Sequence, residues 1–219
     1  MAYRQIINKV LTRLREDTIT SDWSGAILDS SDIDEYQKLI SELVNESKHL
    51  VEDAWNWSCL RSIQTVTTSN GTVTYTMSNL NDRSRILQVI DDSNDAVLTQ
   101  MSDELFYRYQ YIGTTQNGSP MYYRLTNNNQ ISFWPTPDAA YNIRIHAVQP
   151  QDDLTNATDT LTVSEYVVIL GAYALALSER GEDGGTGLSP ALASFQGALH
   201  DAIVQDENRS VNETTWYAS

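Results

Sequence analysis

Residues 130–183 constrain the fold more than any other stretch, because the spacing of apolar residues changes there from a strand period to a helical one. Residues 131–134 are largely apolar and run into Pro135-Thr136-Pro137-Asp138. Two proline rings fix φ and remove donors, which predicts a tight turn. Tyr141, Ile143, Ile145 and Ala147 then alternate with Asn142, Arg144, His146 and Val148, the period of a half-buried strand. Pro150 ends it, and 152–162 is a loop of Asp, Asn and Thr. From Val163 the period becomes helical. Val167, Leu170, Tyr173, Ala174 and Leu177 form one stripe, and the small residues Gly171, Ala172, Ala174 and Ala176 permit close packing. A chain holding both patterns in succession must build sheet and helix layers together.

On the N-terminal side, 3–16 carries Ile6, Ile7, Val10, Leu11 and Leu14 on one stripe, an amphipathic helix. Arg4, Lys9, Arg13 and Arg15 fall off that stripe and make the densest basic face in the chain. Trp23, Ile27 and Leu28 are expected to tuck the following loop onto the body. Residues 31–55 predict the longest helix, roughly 36 Å at its ordinary rise, with Ser31 as cap and Asp34 three residues on. Its apolar face holds Ile33, Tyr36, Leu39, Ile40, Leu43, Val44, Leu50, Val51 and Ala54. Glu42, Glu46, Glu52 and Asp53 fall on the polar side. Trp55 and Trp57 suit packing where helix meets sheet.

Residues 63–77 predict a hairpin around Asn70-Gly71, a type I′ signal. Further strands are expected at 85–90, 96–100, 121–125 and 131–134, and a short helix at 102–110 capped by Ser102. The result is about seven strands in antiparallel reach. Beyond the long apolar helix, a glycine-containing break at 181–187 precedes a last helix, in which Ser189-Pro190 puts proline at the first helical position. Leu192, Phe195, Ala198, Leu199, Ala202 and Ile203 form its stripe. Residues 206–215 are polar and expected to stay out of the core. The expected architecture is α+β: a bundle of about four helices from 1–57 and 160–208, an antiparallel β-sheet inserted at 58–159, and a tail at 209–219.

Charge bounds the partners. The chain has 29 acidic and 14 basic side chains, a net charge of −15. Counterion release cannot then drive tight duplex binding, although an acidic surface suits a conduit that DNA passes through. Cys59 is the lone cysteine, which excludes an internal disulfide. Nothing around it in sequence lowers its pKa, so it is expected to be buried or idle. No secretion signal and no apolar run of roughly 18 residues occurs, so no membrane span is expected.

Chemistry is poorly provided for. His49, His146 and His200 are scattered without metal-ligand spacing. Nucleophile-elbow, Walker and dinucleotide motifs do not occur in the sequence. Asp91-Asp92 and Asp152-Asp153 sit in expected turns, where Asp serves the backbone. No enzyme activity, cofactor or metal is expected; a hydrolase using two carboxylates stays open as an alternative, because their separation is not legible in sequence. The candidates are instead surfaces. Arg4, Lys9 and Arg13, with Glu42 and Glu46, are candidates for contact with a neighbouring copy or for a channel lining, although by sequence alone each first reads as a solvated face. Trp216 and Tyr217, beside Thr214 and Thr215, end a polar tail with nothing local to bury them, either a loose end or anchors for a pocket on a partner.

The order of elements carries a resemblance. An aromatic-Pro-x-Pro-Asp turn at 134–138, an alternating strand, Pro150 followed by Asp153 and Leu154, a Thr/Asp loop and an Ala-rich helix ending in Glu182-Asp183 resemble the head-to-tail adaptor proteins of tailed bacteriophages, called tail tubular protein A in some short-tailed phages. Trp55-x-Trp57 is similar to aromatics that this family often carries after a helix. The resemblance implies a structural virion protein, assembled in the host cytoplasm and placed at the head–tail junction. It implies a ring, usually of twelve copies, docked below the portal protein, extending the DNA channel and offering a surface to the downstream tail protein, a nozzle or tail tube. It also implies that 210–219 reaches into the portal, with Trp216 and Tyr217 as its anchors. A tail-completion or receptor-binding protein is the first alternative, and a tail-associated glycan hydrolase the second.

Overall fold

The computed structural model describes residues 1–23, 25–78, 80–112, 116–126, 129–181 and 187–209. Along them run α1 (Tyr3–Leu14), α2 (Glu35–Ala54), β1 (Arg61–Thr67), β2 (Thr74–Thr76), β3 (Arg85–Asp91), β4 (Ala96–Val97), β5 (Thr99–Gln100), α3 (Asp103–Tyr111), β6 (Tyr122–Thr126), β7 (Gln130–Trp134), β8 (Asn142–Val148), α4 (Glu165–Arg180) and α5 (Leu188–Glu207). The class is α+β. Two compact units divide the chain: Met1–Leu60 with the segment that begins at Gln151, and Arg61–Pro150 between them.

In the helical unit α4 is the central element, touching α1, α2 and α5. A helix covered on three sides must be apolar nearly all round, which is why Val167, Val168, Ile169 and Leu170 are all buried. The whole expected stripe of α1 is buried against it and α2. Gly171 marks the closest approach. A Cβ there would stand 2.2 Å from Ser47 Oγ and 2.9 Å from the Phe195 ring. Ser47 Oγ already donates to the Val168 carbonyl at 2.9 Å, so it can retreat only by losing that bond. Gly171→Ala is therefore expected to cost about 1–3 kcal/mol by overpacking. Gly197→Ala, where a Cβ meets nothing within 4 Å, should stabilise α5 by roughly 0.5–1 kcal/mol. Denaturant unfolding of both variants checks the opposite signs.

Several expected boundaries move. The cap of α2 is Asp34, not Ser31: its carboxylate accepts from Tyr36 N at 3.1 Å, and Gln37 Oε1 accepts from Asp34 N at 3.3 Å, closing a capping box. Leu50 and Ala54 are exposed, while Glu52 is fully buried. The buried stripe of α2 turns through Ser47, Lys48, Val51 and Glu52, which leaves Leu50 one residue off it and about 100° round the helix. Trp23 and Ile27 are buried as expected, but Leu28 is exposed. α5 begins at Leu188 after Gly187, so Pro190 is its third residue, still within the turn whose N–H groups have no intrahelical partner. Packed chiefly on α4, α5 buries Ala191 and Asp206 among the described residues, and Leu192 of its expected stripe is exposed. Asp206, expected to lie in the polar tail, accepts from Ser58 N at 2.9 Å and is bonded to Ser58 Oγ.

The segment after Pro150, assigned from sequence to the sheet, joins the helical unit. Leu154 N donates to Asn45 Oδ1 at 3.0 Å and Asn45 Nδ2 returns a bond to the Leu154 carbonyl at 3.1 Å. Tyr3 N donates to the Asp159 carbonyl at 2.7 Å.

The strand unit is a pair of four-stranded sheets, ordered β1-β8-β3-β4 and β2-β7-β6-β5, and not one sheet. Their inner faces meet in a cluster of Val66, Val89, Ile143 and Ile145 from the first with Tyr123, Ile131 and Phe133 from the second, the alternation of a sandwich. The expected hairpin at 63–77 is absent. β1 pairs with β8, and β2 with β7. Gly71 has φ +79°, but Asn70 is not among the residues with positive φ, so the turn is not type I′. It carries the chain from one sheet to the other. The expected strand at 96–100 also splits: Leu98 N donates to Val89 O in the first sheet, Thr99 N to Met121 O in the second. β5 then runs parallel to β6, the one parallel pair among the described strands.

Candidate partner-binding surfaces

The basic face of α1 is only partly free. Arg4 forms an ion pair with Asp22. Lys9 Nζ lies 3.9 Å from Glu165 Oε1, with half its side chain exposed. Arg13 is exposed, its guanidinium carbon 6.0 Å from the Tyr173 ring centre. Lys9, Thr12 and Arg13 of α1 and Glu165, Tyr166 and Ile169 of α4 line a cleft of about 380 Å³. Glu42 and Glu46 are exposed on α2, one turn apart. Both sets of sequence candidates therefore lie on the surface of the helical unit.

A buried polar knot was not foreseen. Lys48 and Glu52 are both fully buried, with Nζ 3.8 Å from Oε2. Lys48 Nζ donates to the carbonyls of Gln151 at 2.7 Å and Asp152 at 2.9 Å, while Gln151 N donates to Glu52 Oε1 at 3.1 Å. His49 Nε2 and Asp153 Oδ1 are 2.6 Å apart at its rim. Nearby, Tyr3 donates to the Ser41 carbonyl at 2.8 Å, and burial pushes its phenol well above the usual range. The available signal was spacing: Lys48 falls between Val44 and Val51 on the buried stripe. The knot clamps the 151–154 loop to α2, a structural task.

The strand unit carries an aromatic surface that sequence reasoning also missed. Tyr107, Tyr109, Tyr111, Ile112 and Met121 are all exposed, Tyr111 at 74% and Ile112 at 77%. Tyr107 stacks on Tyr111 at 5.9 Å and Tyr109 on Trp134 at 4.8 Å. Arg124, itself buried, lies 4.7 Å from the Phe106 ring centre and 4.6 Å from that of Tyr107, a cation–π arrangement that holds α3 on β6. The clue was density, since five of the twelve tyrosines fall within 107–123.

The turn acids, expected to serve the backbone, bond mostly to side chains. Asp91 is fully buried and accepts from Ser93 N at 2.9 Å, Asn94 Nδ2 at 2.7 Å and Ser119 Oγ at 3.2 Å. Asp92 pairs with Arg144 at 2.8 Å. Cys59 is exposed rather than buried, and partial desolvation with Asp206 nearby raises its pKa, which disfavours the reactive thiolate. Among the described residues no group of three metal-ligating side chains occurs, and no helix is long and apolar enough to cross a membrane. Thr214, Thr215, Trp216 and Tyr217 lie outside the described residues.

Compared with known families, the chain matches the SU10 adaptor protein model over residues 1–216. No curated protein sequence matches it.

Proposed function

The chain belongs to the SU10 adaptor protein family, and from that premise, a phage structural adaptor, we propose that it forms a ring below the portal protein at the head–tail junction. The observation that carries this reading is a family match spanning both units and reaching residue 216. The ring, of twelve copies, extends the DNA channel and receives the downstream tail protein. Trp216 and Tyr217, supported by Thr214 and Thr215, anchor the portal. The exposed aromatic surface of α3 supports attachment to a second protein, because Tyr and Trp dominate interface hot spots.

Assembly is templated. Copies of a chain with net charge −15 repel one another in free solution, and binding to portal supplies the missing free energy. Mixing the purified chain with tail-less, portal-bearing heads should yield rings visible by negative stain, while the chain alone stays monomeric by light scattering. A stable twelve-copy species from the chain alone would count against templating.

DNA passes without being gripped. Of the three basic candidates on α1, Arg4 is neutralised by Asp22 and Lys9 is close to Glu165, so too few free cations gather there to release counterions cooperatively. Gel shift with duplex DNA at low salt should show no complex at roughly micromolar protein, against the 10⁻⁴–10⁻⁶ M that basic proteins reach without sequence specificity. A complex at or below that concentration refutes the channel reading.

A further inference from the structure

We infer that the cleft between α1 and α4 is one half of the contact between copies, and that its occupant is the exposed face of α2 from a second copy of this chain. The inference rests on the ring reading and adds to it the residues that meet.

Four observations lead to this pairing. The cleft is lined by Lys9 and Arg13 against Glu165, so it holds a net positive charge on a chain of −15. Few partners in such a chain's own assembly are better matched to it than another stretch of its acidic surface. On α2, Glu42 and Glu46 are exposed and flanked by exposed leucines, Leu39 at 36% and Leu50 at 49%. The spacing agrees. Lys9 and Arg13 are four residues apart on one helix, Glu42 and Glu46 four apart on another, so each pair stands about 6 Å apart on one face. Two helices laid side by side can then match both charges at once. Apolar area is present on both sides as well: Tyr166, 57% exposed, stands at the cleft with Ile169 below it, where a leucine of α2 can be covered.

The two patches belong to different helices and have opposite charge. A patch that binds its complement elsewhere on an identical copy makes a head-to-tail contact, the kind that closes into rings. A self-complementary patch would stop at dimers. Lys9 is poised for the exchange, because its present bond to Glu165 is long and half exposed, and a carboxylate from a neighbour competes at little cost.

The test uses the full chain without portal, at concentrations well above those at which it is monomeric, where the charge-matched contact forms transiently and cross-linking traps it. Lys9 is one of three lysines; the side chain of Lys38 is 14% exposed and that of Lys48 is 0%. Zero-length carbodiimide cross-linking of a mixture of ordinary and ¹⁵N-labelled protein, at high concentration and low salt, should give mixed-isotope peptide pairs joining Lys9 to Glu42 or Glu46. Mixed pairs from Lys9 to other carboxylates, or none, overturn the inference. A second arm exchanges charges. The Lys9→Glu/Arg13→Glu chain and the Glu42→Lys/Glu46→Lys chain should each lose oligomer about tenfold or more, read by sedimentation and not by a cross-link that Lys9 itself must supply, since like charges then face each other. An equal mixture of the two should restore it as species beyond dimers, because every contact is again between opposite charges. Absence of rescue, with both chains folded by circular dichroism, overturns the inference, as does a product that stops at dimers. Portal-bearing heads separate the two readings. A chain that docks on them but fails both arms removes this contact alone; one that passes both arms but does not dock removes the portal reading alone.

Discussion

Cutting the chain after Arg209 should abolish attachment to the portal while leaving the thermal transition where it was. The structure sharpens where the cut must fall. α5 continues to Glu207, and Asp206 is buried, bonded to Ser58 through backbone and side chain. Removal of 210–219 spares that tie; removal from Asp206 onward breaks it, and such a variant should melt earlier. The two truncations therefore separate a docking segment from a piece of the folded unit. Trp216→Ala with Tyr217→Ala should behave as the shorter truncation does. A buried aromatic hot spot is worth about 2 kcal/mol or more. Two of them place the expected loss near a thousandfold per copy, at about 1.4 kcal/mol for each factor of ten. Pull-down on portal-bearing heads beside a thermal melt of the free protein reads both quantities. An earlier melt for the chain ending at Arg209 would make the tail part of the fold. Unchanged melting with full attachment would move the docking site elsewhere, with the aromatic surface of α3 next in line.

Lys48→Met should destabilise the helical unit by roughly 3–5 kcal/mol, the cost of removing one partner from a buried ion pair. The substitution leaves the Glu52 carboxylate without its cation at 3.8 Å and strips the Gln151 and Asp152 carbonyls of their shared donor. Lys48→Met with Glu52→Leu should recover much of the loss, because no charge then remains buried. Such non-additivity identifies a coupled pair. The strand unit does not contain these residues, so urea unfolding should show the loss in one transition and spare the other, where the two units melt separately. A loss below about 1 kcal/mol would mean that water reaches the pair, which then behaves like an exposed bridge.

Local periodicity by itself determined much of this molecule. The α1 stripe, the alternation along β8, the small face of α4 and the Ser102 cap of α3, which accepts from Leu105 N at 3.4 Å, each depend on residues within one or two turns or pleats. So did the α+β class. The resemblance to a known family rested on the order of elements and its turn motif, which are legible without knowing which elements pair, and the family match bears it out. The tertiary structure decided what is non-local. Asn70-Gly71 marks a turn, but only the available partners, β8 for β1 and β7 for β2, determine whether the strands beside it pair or part. Leu98 reads as mid-strand until two sheets compete for its neighbours. Glu52 reads as polar surface until the 151–154 loop, about a hundred residues away in sequence, closes over it and Lys48 and supplies the hydrogen bonds that make their burial tolerable. Glu42 and Glu46, on the same helix, stay exposed because none of the described loops covers them. An α-helix repeats every 3.6 residues whatever lies beside it; which of its faces meets protein and which meets water depends on segments that local spacing never touches.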